Sequence, residues 1–144
     1  MNVSRIWVLY TMMGALSAFS AFANDAPTTC SLESLRGTVA GTFTGSNAGV
    51  ANSASSMESY DGAGHMKWIE LWSDGYTAYR WHGTGTYTIT PGCVATVIYG
   101  GNISQPWTYF VSPDGSGYYW NNNGLYGEVA SGRMARISTA LLVQ

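Results

Sequence analysis

The sequence predicts an all-β protein, a barrel or a sandwich of about eight antiparallel strands in a single domain. After the first 23 residues, the apolar residues show no long helical periodicity. Instead, short alternating segments rich in Thr, Val, Tyr and Trp follow one another. Clusters such as "SDGY", "TPGC" and "SPDGSG" separate these segments and are typical of turns.

The first 23 residues form a predicted signal-peptide helix. Arg5 supplies a positive charge, an apolar run follows, and Ala21-Phe22-Ala23 has the small-x-small form of a signal-peptidase site. An uncleaved membrane anchor is the alternative, because the run is nearly long enough to span a bilayer. With cleavage after Ala23, residues 24–144 form an exported domain, periplasmic or secreted, with no stable membrane insertion.

Composition excludes several classes of partner. Charged residues make up 10% of the chain, and its formal net charge is −2. No basic stripe is present, which argues against nucleic acid as a partner. The sequence also lacks CxxC and His-x-His spacings and the lysine of a phosphate-binding loop, so we expect no metal and no cofactor.

The chain has two cysteines, Cys30 and Cys93. In an oxidising compartment a lone pair of cysteines usually forms a disulfide, which here would join the N-terminal segment to the middle of the chain. Two free thiols are the alternative.

The predicted elements follow in chain order. "CSLESLRG" can form one helical turn, with Ser31 as a cap and Leu32 and Leu35 on one side. Residues 46–56, "SNAGVANSASS", are predicted to be a flexible loop because they are small and polar. The predicted strands are Gly37–Thr44, Ser56–Tyr60, His65–Trp72, Tyr76–Ile89, Val94–Tyr99, Thr108–Ser112, Gly117–Trp120 and Glu128–Ile137.

Five short pieces, "TCSLESLRGT", "DGAGHM", "GTYTITPGC", "VSPDGSG" and "ASGRMARI", occur in this order between roughly residues 28 and 137. In these pieces the chain resembles bacterial exported proteins with an allene oxide cyclase barrel-like domain. The resemblance implies an eight-stranded antiparallel barrel over residues 24–144. True allene oxide cyclases fold an unsaturated fatty-acid epoxide inside an apolar barrel, but no motif carries their site residues onto this chain.

The most informative stretch is "HMKWIELWSDGYTAYRWHG", residues 65–83. Asp74-Gly75 predicts a hairpin with a two-residue type I′ turn. In that register Glu70 opposes Tyr79, and one face of the hairpin carries Met66, Trp68, Glu70, Trp72, Tyr79 and Trp81. A one-residue shift would instead oppose Glu70 to Arg80 and Trp68 to His82.

The first register predicts a site inside the barrel. Tyr87 continues the phase of Tyr79 and Trp81, so the aromatic face is expected to be the inner one. Glu70 is then the candidate acid or base, with a pKa raised by desolvation. The candidate ligand-binding residues are Trp68, Trp72, Tyr79, Trp81 and Tyr87; Arg80 and His82 are secondary candidates that belong to the other register.

These residues predict a barrel that binds an apolar or aromatic small molecule in an aromatic-lined interior. Two alternatives remain at this point. One is a cofactor-free cyclase or isomerase that acts on such a molecule through Glu70. The other is a structural barrel whose interior is filled by side chains.

Overall fold

Eight antiparallel strands form a closed barrel in which each strand pairs with the next and the last pairs with the first. The computed structural model describes residues 29–100, 106–123 and 128–144, so the predicted signal segment lies outside the described residues. The predicted barrel is confirmed, and the sandwich alternative is wrong. The strands are β1 (Gly37–Asn47), β2 (Val50–Tyr60), β3 (His65–Ser73), β4 (Ala78–Ile89), β5 (Val94–Tyr99), β6 (Pro106–Val111), β7 (Gly117–Asn123) and β8 (Glu128–Ser138).

One predicted loop is a pair of strands. The stretch 46–56 forms the β1–β2 hairpin, in which Asn47 pairs with Val50. Ala48 and Gly49 both have positive φ, 48° and 83°, as a two-residue type I′ turn requires. The expectation of a flexible loop was wrong because small side chains such as Ala54 alternate into the barrel, where they pack in its core.

The hairpin between β3 and β4 differs from the prediction in its turn. Asp74–Thr77 form a four-residue connection, and the Asp74 carboxylate accepts hydrogen bonds from the backbone N–H groups of Tyr76 (2.9 Å) and Thr77 (2.7 Å). Glu70 therefore opposes Trp81 rather than Tyr79 or Arg80. Both predicted registers are wrong, but the first is wrong by two residues, which keeps every side chain on its predicted face.

Side-chain alternation is regular along β3 to β5, whereas the β1–β8 ladder has one register shift, between Thr38 and Val39. The ladders from β3 through β5 pair without a bulge, so Tyr87 stays in phase with Tyr79 and Trp81, as predicted. The core residues of all strands lie on the inner face, and they include Val39, Phe43, Tyr60, Met66, Trp68, Tyr87, Val97, Tyr109, Tyr118, Trp120 and Met134.

One end of the barrel is sealed. The predicted helical turn is a 3₁₀ turn, Leu32–Leu35, whose Leu35 is fully buried. Arg136 of β8 fastens it by donating from Nη2 to the Ser34 carbonyl oxygen, 2.7 Å away. The Cys30–Cys93 disulfide ties the same segment to the turn between β4 and β5, as predicted. We call this the sealed end, and the end with the turns 48–49 and 74–77 the hairpin end.

The chain's last residues cross the outside of β1 and β2. The N–H of Leu142 donates to the Thr38 hydroxyl, and the N–H of Val143 donates to the Ser59 hydroxyl. The donor–acceptor distance is 2.9 Å in both bonds. Among the described residues, no helix has both the length and the apolar character needed to cross a bilayer.

Removing the disulfide should destabilise the barrel without changing its fold. The bridge joins residues 63 positions apart, and a loop of that size corresponds to about 4 kcal/mol in the chain-entropy model. A Cys30→Ser, Cys93→Ser double variant should lose about that much free energy of unfolding in urea titrations. The reduced wild type should match the variant. Equal stability of the oxidised wild type and the variant would contradict the expectation.

Gly132 should tolerate no side chain. A Cβ atom there would lie 2.7 Å from Nε1 of Trp120 and 2.8 Å from Cβ of Phe43. Gly132→Ala should therefore lower the free energy of unfolding by about 1–3 kcal/mol through overpacking. Gly92→Ala is the matched control, since the nearest atom to its new Cβ is 3.8 Å away. Similar unfolding midpoints for the two variants would refute the steric argument.

Candidate functional site

A buried carboxylate lies at the centre of the barrel. Glu58 of β2 is 3% exposed and projects inward with Tyr60, two residues further along the same strand. Tyr60 and Tyr118 donate hydrogen bonds to its Oε2, and Tyr99 donates to Oε1 over 2.5 Å. Tyr109 hydrogen bonds to Tyr99 and stacks on Tyr118 with ring centroids 4.3 Å apart. We call these five residues the glutamate–tyrosine cluster.

Counting protons assigns the direction of each bond in the cluster. A tyrosine hydroxyl has one proton to donate. Tyr60, Tyr99 and Tyr118 each donate theirs to the Glu58 carboxylate. Tyr109 must therefore be the donor in its bond with Tyr99. All four hydroxyl protons are thus used inside the cluster, which is the arrangement expected around an ionised carboxylate.

Burial and these donors act on the Glu58 pKa in opposite directions. Desolvation is the larger effect and raises the pKa of Glu58, while the hydrogen bonds from Tyr118, Tyr60 and Tyr99 lower it. The pKa values of the four tyrosines lie well above the ordinary value, first because they are buried and then because Glu58 is nearby. The tyrosines therefore stay protonated and remain donors.

The cluster is built as a structural centre. Its carboxylate is buried and accepts from three side chains contributed by three strands, so breaking one bond would leave a buried charge with less compensation. It joins β2 to β5 and β7 across the barrel interior. A ligand could reach Glu58 only by displacing these tyrosines.

A second group of inward-facing residues lies near the hairpin end and is much more accessible. Glu70 and Trp72 of β3 oppose Trp81 and Tyr79 of β4, respectively. Tyr79 is 43% exposed and Trp81 is 42% exposed, whereas Trp68 on the same inner face is 4% exposed. Glu70 and Trp72 are half-buried. We call Glu70, Trp72, Tyr79 and Trp81 the hairpin quartet.

The paired strands explain this accessibility. The β4–β5 ladder pairs Gly85–Ile89 with residues of β5, and Gly100 donates one further bond to the Thr84 carbonyl oxygen. The first residues of β4, which carry Tyr79 and Trp81, are paired with β3 and extend past this ladder. Their inward faces therefore keep solvent contact.

The predicted ligand-binding residues fall into three places. Trp72, Tyr79 and Trp81 lie together in the hairpin quartet. Trp68 is buried beside the cluster and packs edge-on against Tyr99, with ring centroids 5.3 Å apart.

Tyr87 lies toward the sealed end. Its hydroxyl accepts from the N–H of Gly62 (2.9 Å) and donates to the Leu32 carbonyl oxygen (3.1 Å). Arg80 and His82 lie on the outer face and are exposed, so the structure does not bring either of them to Glu70.

Sequence reasoning missed Glu58 and its tyrosine partners. It foresaw a desolvated carboxylate among aromatic rings but assigned that environment to Glu70. The signal was present, because Glu58 and Tyr60 share one face of a predicted strand and three later predicted strands each carry one of the other cluster tyrosines. Only barrel closure brings these distant strands to one point.

Three buried side chains carry polar groups with no hydrogen-bond partner among the described residues. They are the amide of Asn52, whose nitrogen and oxygen are both unpaired, and the indole N–H groups of Trp68 and Trp107. Asn52 lies on the inner face two residues from Ala54, which pairs with Trp72 of the quartet. Unpaired groups of this kind are uncommon in protein interiors, so some hydrogen-bonding capacity near the quartet is not used by the described residues.

A separate groove of about 850 Å³ lies outside the barrel. It runs between the chain's last residues, including Leu141 and Val143, and the outer face of β3 to β5 at Lys67, Thr86 and Ile98. Neither the cluster nor the quartet lines it. Within residues 29–100, 106–123 and 128–144, no group of three His, Cys, Asp or Glu side chains is placed to hold a metal ion.

Comparison with known proteins identifies no relative. No family model, no curated protein and no solved structure matches the chain. The function must therefore be argued from the site.

The raised pKa of Glu58 predicts a particular dependence of stability on pH. The pKa of a glutamate in an unfolded chain is about 4.3. Since the folded pKa is higher, the folded state binds the proton more tightly, and stability falls as pH rises from the unfolded to the folded pKa. The free energy of unfolding of the wild type, minus that of Glu58→Gln, should fall through this window in urea titrations.

Tyr118→Phe provides the matched test of that assignment. It removes one donor to the carboxylate, so the Glu58 pKa should rise further and the fall in stability should extend to higher pH. The other carboxyl groups and the imidazoles are shared by all three proteins, so their titration cancels in the differences. If the difference in free energy of unfolding between wild type and Glu58→Gln does not change with pH, folding leaves the Glu58 pKa unaltered.

Proposed function

We propose that the protein is an exported barrel that binds an apolar or aromatic small molecule at its hairpin end. The observation that carries the proposal is the contrast in exposure along one inner face. Trp68 is buried in the core, whereas Tyr79 and Trp81 keep over two-fifths of their surface exposed. Large rings that face a barrel interior and remain accessible offer stacking surface to a ligand.

The unpaired polar groups support the same location. Asn52 can both donate and accept a hydrogen bond, and the indoles of Trp68 and Trp107 can each donate one. A ligand with one polar group beside an apolar body could pair with these groups after displacing the side chains that cover them. That pairing would relieve part of the penalty of burying them.

The disulfide supports export. Such bonds persist in oxidising compartments, and the Cys30–Cys93 bond closes the sealed end of the fold. Membership of the allene oxide cyclase barrel-like family is part of this proposal, and the closed eight-stranded barrel supports it as a fold.

A cofactor-free cyclase or isomerase is the second candidate. Glu70 favours it, because this carboxylate lies among accessible rings whereas Glu58 is enclosed by tyrosines. Such an enzyme would use Glu70 to move a proton and the rings to hold the substrate's shape. Glu70→Gln would then abolish turnover and leave binding of the substrate in place.

Tyr79→Leu should weaken ligand binding. Loss of the ring removes stacking worth about 1 kcal/mol, or roughly fivefold in Kd. The binding of 2-naphthol, followed by tryptophan fluorescence, measures the change. Tyr119→Leu is the matched control, because Tyr119 is 53% exposed but lies on the outer face. Undetectable binding to the wild type, or equal weakening in the two variants, would count against the site.

A further inference from the structure

We propose that the ligand of the hairpin end carries an uncharged hydrogen-bond acceptor, a ketone or ester carbonyl, on an apolar or aromatic body. This inference rests on the proposed function and names the chemical class of its ligand. Three side chains of the barrel interior, Asn52, Trp68 and Trp107, carry buried polar groups that have no hydrogen-bond partner among the described residues. Such groups destabilise the folded protein, so a binding partner outside the chain is their most direct explanation.

The Asn52 amide lies near the hairpin end, among small side chains. Asn52 faces inward from β2 and is 6% exposed. It opposes Gly45 of β1, Gly45 opposes Ala130 of β8, and Ala54 faces inward two positions further along β2. The side chains at these three positions are no larger than a methyl group. They offer the amide no hydrogen bond and leave its polar atoms to a ligand.

The two indole N–H groups flank one ring of the same interior. Trp68 and Trp107 both pack edge-on against Tyr99, with ring centroids 5.3 Å and 6.2 Å away. Trp107 belongs to β6, which is four strands from β2 in the closed barrel of eight. Trp107 and Asn52 therefore lie on opposite sides of the interior. A ligand that enters at the hairpin end meets unpaired donors on more than one side.

The unpaired groups contain more donors than acceptors. Each indole has one N–H and the Asn52 amide has two, whereas the amide oxygen is the one unpaired acceptor among these three side chains. An acceptor oxygen on the ligand can pair with any of the three residues. A group that only donates could pair with Asn52 alone. The chemistry of these side chains therefore favours a ligand with an acceptor oxygen.

The charge of the interior favours a carbonyl over a carboxylate. Indole and amide N–H groups are neutral, so a bound anion would lose its hydration without gaining a positive partner. Within the described ranges, Arg136 is the one basic side chain that faces inward, and it donates to Ser34 at the sealed end. The Glu58 carboxylate is buried in the same interior and would repel a second anion.

The test compares two probes of the same shape. Acetophenone and α-methylstyrene differ only in a carbonyl oxygen that replaces a methylene group. Proton–nitrogen correlation spectra of the wild type follow the indole N–H resonances during each titration. Acetophenone should move the resonance of Trp68 or Trp107 further downfield than α-methylstyrene does, because a hydrogen bond deshields the donor proton. The two probes have similar rings, so their ring-current effects cancel in the comparison.

Asn52→Leu tests the amide, because leucine has the same branching and no polar atom. It should weaken binding of acetophenone roughly fivefold, as expected for one hydrogen bond between neutral groups, and leave binding of α-methylstyrene unchanged or improved. It should also raise the urea midpoint of unfolding of the ligand-free protein, because it removes an unpaired buried amide. Greater stability with weaker binding of one probe alone would separate a binding role from a structural one.

Asn121→Leu is the matched control, because Asn121 is exposed on the outer face of β7. It should change neither affinity, whereas Tyr79→Leu should weaken both. Equal weakening of the two probes by Asn52→Leu, or equal indole shifts with both probes, would overturn the acceptor and leave the proposed site standing. No binding of either probe, or binding of both that Tyr79→Leu leaves intact, would overturn the proposed site and this inference together.

Discussion

The rest of the barrel is organised around the hydrogen bonding of one buried carboxylate. Glu58 could not remain in an apolar interior without donors, because the loss of hydration costs several kcal/mol for an isolated charge. Three tyrosines, from β2, β5 and β7, supply those donors, and Tyr109 of β6 completes the set by donating to Tyr99. Each of these strands must therefore hold its register for the carboxylate to be satisfied. A polar centre of this kind favours one arrangement of strands over others that would bury the same apolar surface.

Glycines and large aromatic side chains occupy complementary positions in the barrel interior. Gly83 and Gly132 leave room for the indoles of Trp68 and Trp120, because a Cβ atom at these positions would lie 3.1 Å and 2.7 Å from the respective indole nitrogens. The interior of an eight-stranded barrel is narrow enough for side chains to fill, and here they fill the middle and the sealed end. The hairpin end differs, because β4 extends past its ladder with β5 and its rings lie partly outside the filled interior.

This division separates two carboxylates that share the inner surface. Glu58 is enclosed by its tyrosine partners, whereas Glu70 is half-buried and lies nearer the hairpin end. Both residues are glutamates with an aromatic residue two positions away in the sequence. Their different burial therefore comes from the surrounding fold and not from residue type. The accessible one lies beside rings that tolerate solvent because indole and phenol groups carry a polar atom as well as an apolar body.

Local sequence alone determined the number and order of the strands, the 3₁₀ turn, the cysteine pair and the faces of the β3–β4 hairpin, but it assigned the first half of β2 to a loop. Alternation has a period of two, so the prediction that Glu70 shares a face with Trp72 survived a turn two residues longer than expected. The turn itself was decided by side-chain bonds of Asp74 to Tyr76 and Thr77. Only the tertiary structure decided which carboxylate is buried. Closure of the barrel brings Glu58 to Tyr99, Tyr109 and Tyr118, which lie 41 to 60 residues later in the chain. No local sequence pattern extends over such separations.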